Sequence, residues 1–134
     1  MARGHPCRPT PTAYDGAVTL REYQPEAMAA LDAVSARAAD VVDADLLAMA
    51  QARIDHLVAS GPVPVPPRDE READVAAVIE QMLIDVASLD DATVQRADRH
   101  FAPGGLADLV MASYVLEART RLRVTGDRLL GGGS

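Results

Sequence analysis

The chain has 134 residues, a hydrophobic fraction of 49% and a charged fraction of 25%, the make-up of one globular domain able to bury a core without staples. A formal net charge of -7 argues against general affinity for phosphate backbones or anionic membranes, and 3% aromatics with no Trp give no stacking platform for single-stranded nucleic acid. Cys7 is the only cysteine, which excludes an intrachain disulfide and a two-cysteine redox centre.

Residues 1–20 read as a mobile tail, because the first stretch is rich in Pro and Gly and has no apolar periodicity. His5 and Cys7 stand there as too few ligands for a metal, and no metal or cofactor is expected. Residues 21–130 read as one helical domain and 131–134 as a flexible tail. No apolar run reaches the roughly 18 residues of a membrane span, and the start of the chain lacks a signal-peptide core. A soluble cytoplasmic protein is therefore expected. All 13 basic residues are Arg, a composition that fits a GC-rich coding bias better than a site.

Five helices are predicted. Pro25 suits the first position of a helix over 25–40. Asp43 caps a second, 44–60, with Gly61 just past its end. The Gly-Pro-Val-Pro-Val-Pro-Pro run at 61–67 cannot be helical and should run extended. A third helix fits 69–88. Asp90 or Asp91 caps a short fourth ending near Phe101. After Pro103-Gly104-Gly105, a fifth covers 106–124 and is stopped by Gly126. Nothing shows strand-like alternation, so the expected fold class is an all-α, single-domain bundle.

Charges at helical spacing on apolar faces are the informative feature, because burying an unpaired charge is costly. In the third helix, Val75, Val78, Ile79, Met82, Leu83 and Val86 form one stripe. Ala73, Ala77, Ile84 and Ala87 form a second, and Glu80 is its only charge. A helix apolar on two sides is expected at the centre of the bundle. In the second helix, Leu46, Leu47, Ala50, Ile54, Leu57 and Val58 make the apolar face, with Arg53 inside it and His56 at its edge. In the fifth, Leu106, Leu109, Val110 and Tyr114 share a face with Glu117 and Arg121, while Asp108, Ala112 and Arg119 lie opposite. Glu80, Arg53, Glu117 and Arg121 are thus candidates to meet in or near the interior. One interpretation is structural ion pairing, which fixes packing register. The other is a small polar pocket between helices in which Glu80 transfers protons.

The stretch Arg71-Glu72-Ala73 with Ala76-Ala77-Val78-Ile79-Glu80-Gln81, the short capped helix ending His100-Phe101, and the long helix carrying Tyr114 and Arg119 resemble the carboxymuconolactone decarboxylase and alkylhydroperoxidase-D-like families. More weakly, Asp45-Leu46-Leu47 through Arg53-Ile54 and Leu57 resembles the helix leading into the family's redox motif. The resemblance spans about 25–125. It implies an alkylhydroperoxidase-D-like bundle of small subunits assembled as a homotrimer or hexamer, with the site near a subunit boundary. The second apolar side of the third helix would then face a neighbouring subunit.

The chain departs from the pattern where peroxidase chemistry needs it. The family's two cysteines fall near Ser60 and Val63, its histidine among 64–67 and its relay glutamate near Ala48, and none of the four residues is present. A thiol peroxidase needs a low-pKa thiolate and a resolving thiol, and Cys7 in a tail is a poor substitute. The resemblance therefore implies a cysteine-free member that binds or converts a small, carboxylate-bearing organic molecule by non-redox proton transfer, such as decarboxylation or isomerisation. Glu80 and His56 are the candidate catalytic residues. Arg53, Tyr114 and Arg119 are candidate substrate-binding residues, and Glu117 and Arg121 candidate structural ion-pair members. The alternative is a non-catalytic oligomeric scaffold or partner-binding protein.

Overall fold

The computed structural model describes residues 19–131. The expectations for the two tails, those for His5 and Cys7 included, fall almost wholly on residues outside that range. Among the described residues all regular structure is helical: α1 (Leu20–Tyr23), α2 (Pro25–Val41), α3 (Ala44–Ala59), α4 (Glu70–Asp85), a 3-10 turn (Val86–Ser88), α5 (Asp91–Asp98) and α6 (Gly105–Leu130). The all-α bundle expected from the sequence is what the chain forms. No helix among the described residues is long and apolar enough to cross a membrane.

Side-chain caps set most helix starts. Asp43 accepts from the amides of Asp45 and Leu46, Asp69 from that of Glu72, and Asp90 from that of Thr93. Each satisfies amides that the first turn leaves without partners. Pro25 opens α2, where its missing N–H costs nothing. Thr19 and Glu22 form a reciprocal capping box around α1. This short helix, which the sequence did not suggest, lies just ahead of the boundary expected at residue 21.

Helix ends differ more from expectation. The α4 helix stops at Asp85, whose carboxylate accepts from the Ala87 amide at 3.2 Å and from the Ser88 hydroxyl, turning the chain into the 3-10 segment. The α5 helix ends at Asp98 rather than near Phe101. Gly126 does not stop α6. That helix runs on to Leu130 and ends at Gly131, a left-handed residue at φ 67°. Gly126 is buried inside α6, where a Cβ would lie 3.4 Å from Leu20 Cβ. A methyl there would make only ordinary contact with Leu20, but a larger side chain would meet α1 where it lies on the long helix.

The core joins Leu46, Met49 and Ala50 of α3, Val75, Ala76, Val78 and Ile79 of α4, Ala97 of α5, and Leu106 and Leu109 of α6. The central position expected for α4 is not taken by it. Instead α6 packs against α1, α2, α3 and α5, and α4 packs against α3 and α5. The first apolar stripe of α4 is buried through Met82, whereas Val86 is exposed. Its second stripe is open, with Ala73 and Ile84 on the surface and Ala77 half-buried.

Gly126→Ala puts a methyl at the edge of ordinary contact with Leu20, and in a helix interior Ala is favoured over Gly by roughly 0.5–1 kcal/mol. The expected result is a gain of that order in urea unfolding. Gly126→Leu is expected to destabilise by displacing α1.

Candidate functional site

One face of α3 and one of α4 meet under the extended 61–67 segment. Four prolines there supply no amide donor to continue a helix. Entry to the segment is fixed by the end of α3. Ser60 takes the left-handed conformation at φ 55°, and the Gly61 amide donates to the Asp55 carbonyl at 2.8 Å. At Gly61 a Cβ would stand 2.9 Å from that same carbonyl oxygen, so this close return of the chain requires glycine. Sequence placed the glycine correctly beyond the helix end, but the left-handed residue is the serine before it.

The segment roofs a groove of about 390 Å³ lined by Arg53, His56, Leu57, Glu80, Ile84 and residues 63–67. At its base Arg53 Nε donates to Glu80 Oε1 at 3.0 Å. The pair is one-sided: the Arg53 side chain is 5% exposed and that of Glu80 is 47% exposed. Arg53 also donates from Nη1 to the Met49 carbonyl at 3.5 Å. His56 Nδ1 lies 3.0 Å from the Gly61 carbonyl. A carbonyl only accepts, so Nδ1 carries the proton and the neutral ring keeps Nε2 as its acceptor. The groove therefore holds a buried cation, a half-exposed carboxylate and an oriented imidazole under apolar walls. Chemically it can accept a proton at Glu80 or His56 and attract an anion to Arg53.

The structure brings Arg53, His56 and Glu80 together and distributes the other candidates elsewhere. Glu117 and Arg121 pair with each other one turn apart on α6, at 2.9 Å, and do not join Arg53 and Glu80. Arg119 lies 3.4 Å from Asp32 of α2 and lines a different cavity. Tyr114 is 43% exposed on α6 and lines neither the groove nor that cavity.

Two polar clusters on α4 outside the groove escaped the sequence reading. Glu72 is buried at the start of α4. It accepts from the Arg68 amide at 2.8 Å and from Arg68 Nε at 3.0 and 3.1 Å. The Arg68 side chain, its backbone amide and, more weakly, the charge of Arg53 hold the Glu72 carboxyl below its ordinary value against the opposing effect of burial. The available signal was the four-residue spacing of Arg68, just before the Asp69 cap, and Glu72 in the first turn of α4. The second cluster joins α4 to the end of α5. Asp74 accepts from His100 Nε2 at 2.8 Å and from Arg99 at 3.1 Å, and Arg99 also reaches Glu70. The His100 contact first, then Arg99, lowers the Asp74 carboxyl. Among the described residues no group of three or more His, Cys, Asp or Glu side chains is placed to hold a metal.

Comparison of the chain with protein-family models, with curated proteins and with solved structures finds no match.

Removing either partner of the pair at the base of the groove has unequal consequences. Glu80→Gln leaves a buried guanidinium without its carboxylate, and water reaching the open side softens the loss to about 1–3 kcal/mol. Arg53→Met leaves a half-exposed carboxylate that water can solvate, so a loss below about 1 kcal/mol is expected for a volume-conserving change. Urea unfolding of the two variants checks the order.

Glu72 gives a pH signature. Its folded-state value is depressed, so its contribution is complete above the ordinary Glu value and is lost as pH falls through the folded one. Glu72→Gln is expected to lower stability at neutral pH. The difference from the parent chain should shrink in acid, as read from urea midpoints across the two ranges.

Proposed function

We propose that the chain binds a small organic carboxylate in the groove under 61–67 and converts it by non-redox proton transfer, of the decarboxylation or isomerisation kind. The observation that carries this is the one-sided pair: a buried Arg53 guanidinium against a half-exposed Glu80 carboxylate, in a concave site with His56 beside it. Such a site matches the usual design of a small-molecule pocket, with apolar walls and a few convergent polar groups. A ligand carboxylate would be drawn to Arg53, for which a planar fork is well suited. Glu80 would thereby be loosened from its partner and become the proton acceptor, with His56 Nε2 as a second group of suitable type. The resemblance to the carboxymuconolactone decarboxylase family supports the same chemistry, since that branch does not depend on paired cysteines.

A second proposal is favoured by one observation. Val63, Val65 and Ile84 around the groove are 80%, 79% and 69% exposed, which suits a homo-oligomeric or partner-binding face whose polar pair is structural. A trimer or hexamer, as the resemblance implies, would cover them.

Native mass spectrometry of the purified chain tests both. An organic acid carried through purification, absent from the Arg53→Met protein, is the expected result for the first. An oligomer that keeps its mass and carries nothing, with Glu80→Gln altering stability only, supports the second. A monomer overturns the homo-oligomeric form of the second, and a parent chain that carries nothing, like Arg53→Met, counts against the first.

A further inference from the structure

A larger cavity lies on the other side of α3, between α1, α2, α3 and α6. It has a volume of about 540 Å³ and shares no lining residue with the groove. Its polar lining is of both signs. Arg119 and Arg123 enter from α6, and Asp55 of α3 and Asp127 of α6 face the same space. The apolar part of the wall comes from Leu20, Met28 and Leu116.

Local pairing leaves much of this charge unused. Asp32 engages Arg21 at 2.6 and 3.2 Å and stands 3.4 Å from Arg119, so one carboxylate serves two guanidinium groups. Arg123 and Asp127 make no ion pair among the described residues, although they are one turn apart on α6. Asp55 accepts on Oδ1 from Gln51 Nε2 at 2.8 Å, and the same Gln51 nitrogen donates to Thr120 Oγ1 at 3.1 Å. Thr120 is buried and in turn donates to the Leu116 carbonyl at 2.9 Å. That chain of bonds holds the Asp55 carboxylate in place at the cavity wall and leaves Oδ2 without a partner of its own among the described residues. An arginine fork is adapted to a carboxylate, and a fixed aspartate to an ammonium group.

We propose that this cavity is a binding site for a small zwitterion, an α-amino acid with an aliphatic side chain. Its carboxylate lies against Arg119 and Arg123, its ammonium against Asp55 and Asp127, and its side chain against Leu20, Met28 and Leu116. The two charges of the ligand match the two signs of the lining, and a volume of this size is ordinary for a small-molecule site. The site is independent of the proposed chemistry in the groove, so either can fail without the other.

Isothermal titration calorimetry of the full chain with L-leucine, L-methionine and L-valine tests the proposal. At least one is expected to bind, and to raise the melting temperature at about 10 mM. The matched single-charge probes 3-methylbutylamine and 4-methylpentanoate are each expected to bind at least about tenfold more weakly than L-leucine, as the loss of one charge-assisted contact implies. Arg123→Gln and Asp127→Asn, neither of them in an ion pair among the described residues, should melt like the parent chain without ligand and lose about tenfold or more in affinity. If one variant fails to fold, the other carries the comparison. The proposal is overturned if none of the three amino acids binds, if 4-methylpentanoate binds as well as leucine, or if a folded variant retains full affinity.

Discussion

The arrangement depends on one buried cation. Arg53 sits in the apolar face of α3 with almost no access to solvent, and an isolated charge in that position is not tolerated. Its neighbours one turn away on α3 are Met49, Ala50, His56 and Leu57, none of them a carboxylate. The compensating charge must come from another element, and Glu80 of α4 supplies it. The requirement ties the register of α4 to that of α3, because sliding either helix by a turn separates the pair. The connection between them then has to span from Ser60 to the cap at Asp69 without forming structure of its own. A proline-rich stretch meets that need, and the groove is the space left beneath it.

The faces of α3 divide the molecule further. Leu46, Ala50 and Ile54, spaced four apart, go into the core. Gln51 and Asp55, again four apart, bond to each other and face the cavity beside α6. Arg53, His56 and Leu57 share the side turned to the groove. Helical periodicity of 3.6 residues thus distributes one helix among a core and two unlike recesses. Asp55 also helps to shape the second of them, since its carbonyl receives the Gly61 amide that starts the extended segment.

Most helix starts were legible because caps are local: Asp43, Asp90 and Pro25 act within one turn of themselves, while Asp69, read as the first helical residue, is a cap. Ends were less so. Gly126 carries the usual sign of a stop, yet the helix continues through it, and the position lies buried under Leu20 of α1. The candidate site was legible in part for a related reason. Arg53 and Glu80 stood out as charges without local partners on apolar faces. Glu117 and Arg121 stood out by the same rule, but four-residue spacing lets them satisfy each other and stay apart from the site. Arg119 has no acid three or four residues away on α6, and its partner Asp32 comes from a helix whose position no spacing within α6 reveals. The Asp74–His100 contact likewise crosses from one helix to the end of another.

The half-exposure of Glu80 makes the groove sensitive to whatever fills it, in opposite senses for the two kinds of occupant. A ligand carboxylate competes with Glu80 for the Arg53 fork, so binding weakens the internal pair. A protein surface laid over Val63, Val65 and Ile84 brings no anion. It removes water from the open side of the pair, and the attraction between Arg53 and Glu80 then grows as the local dielectric falls. That tightening suits a structural tie. Whether occupancy loosens or tightens the Arg53–Glu80 pair is therefore the physical quantity that separates a reacting site from an assembly contact built of the same residues.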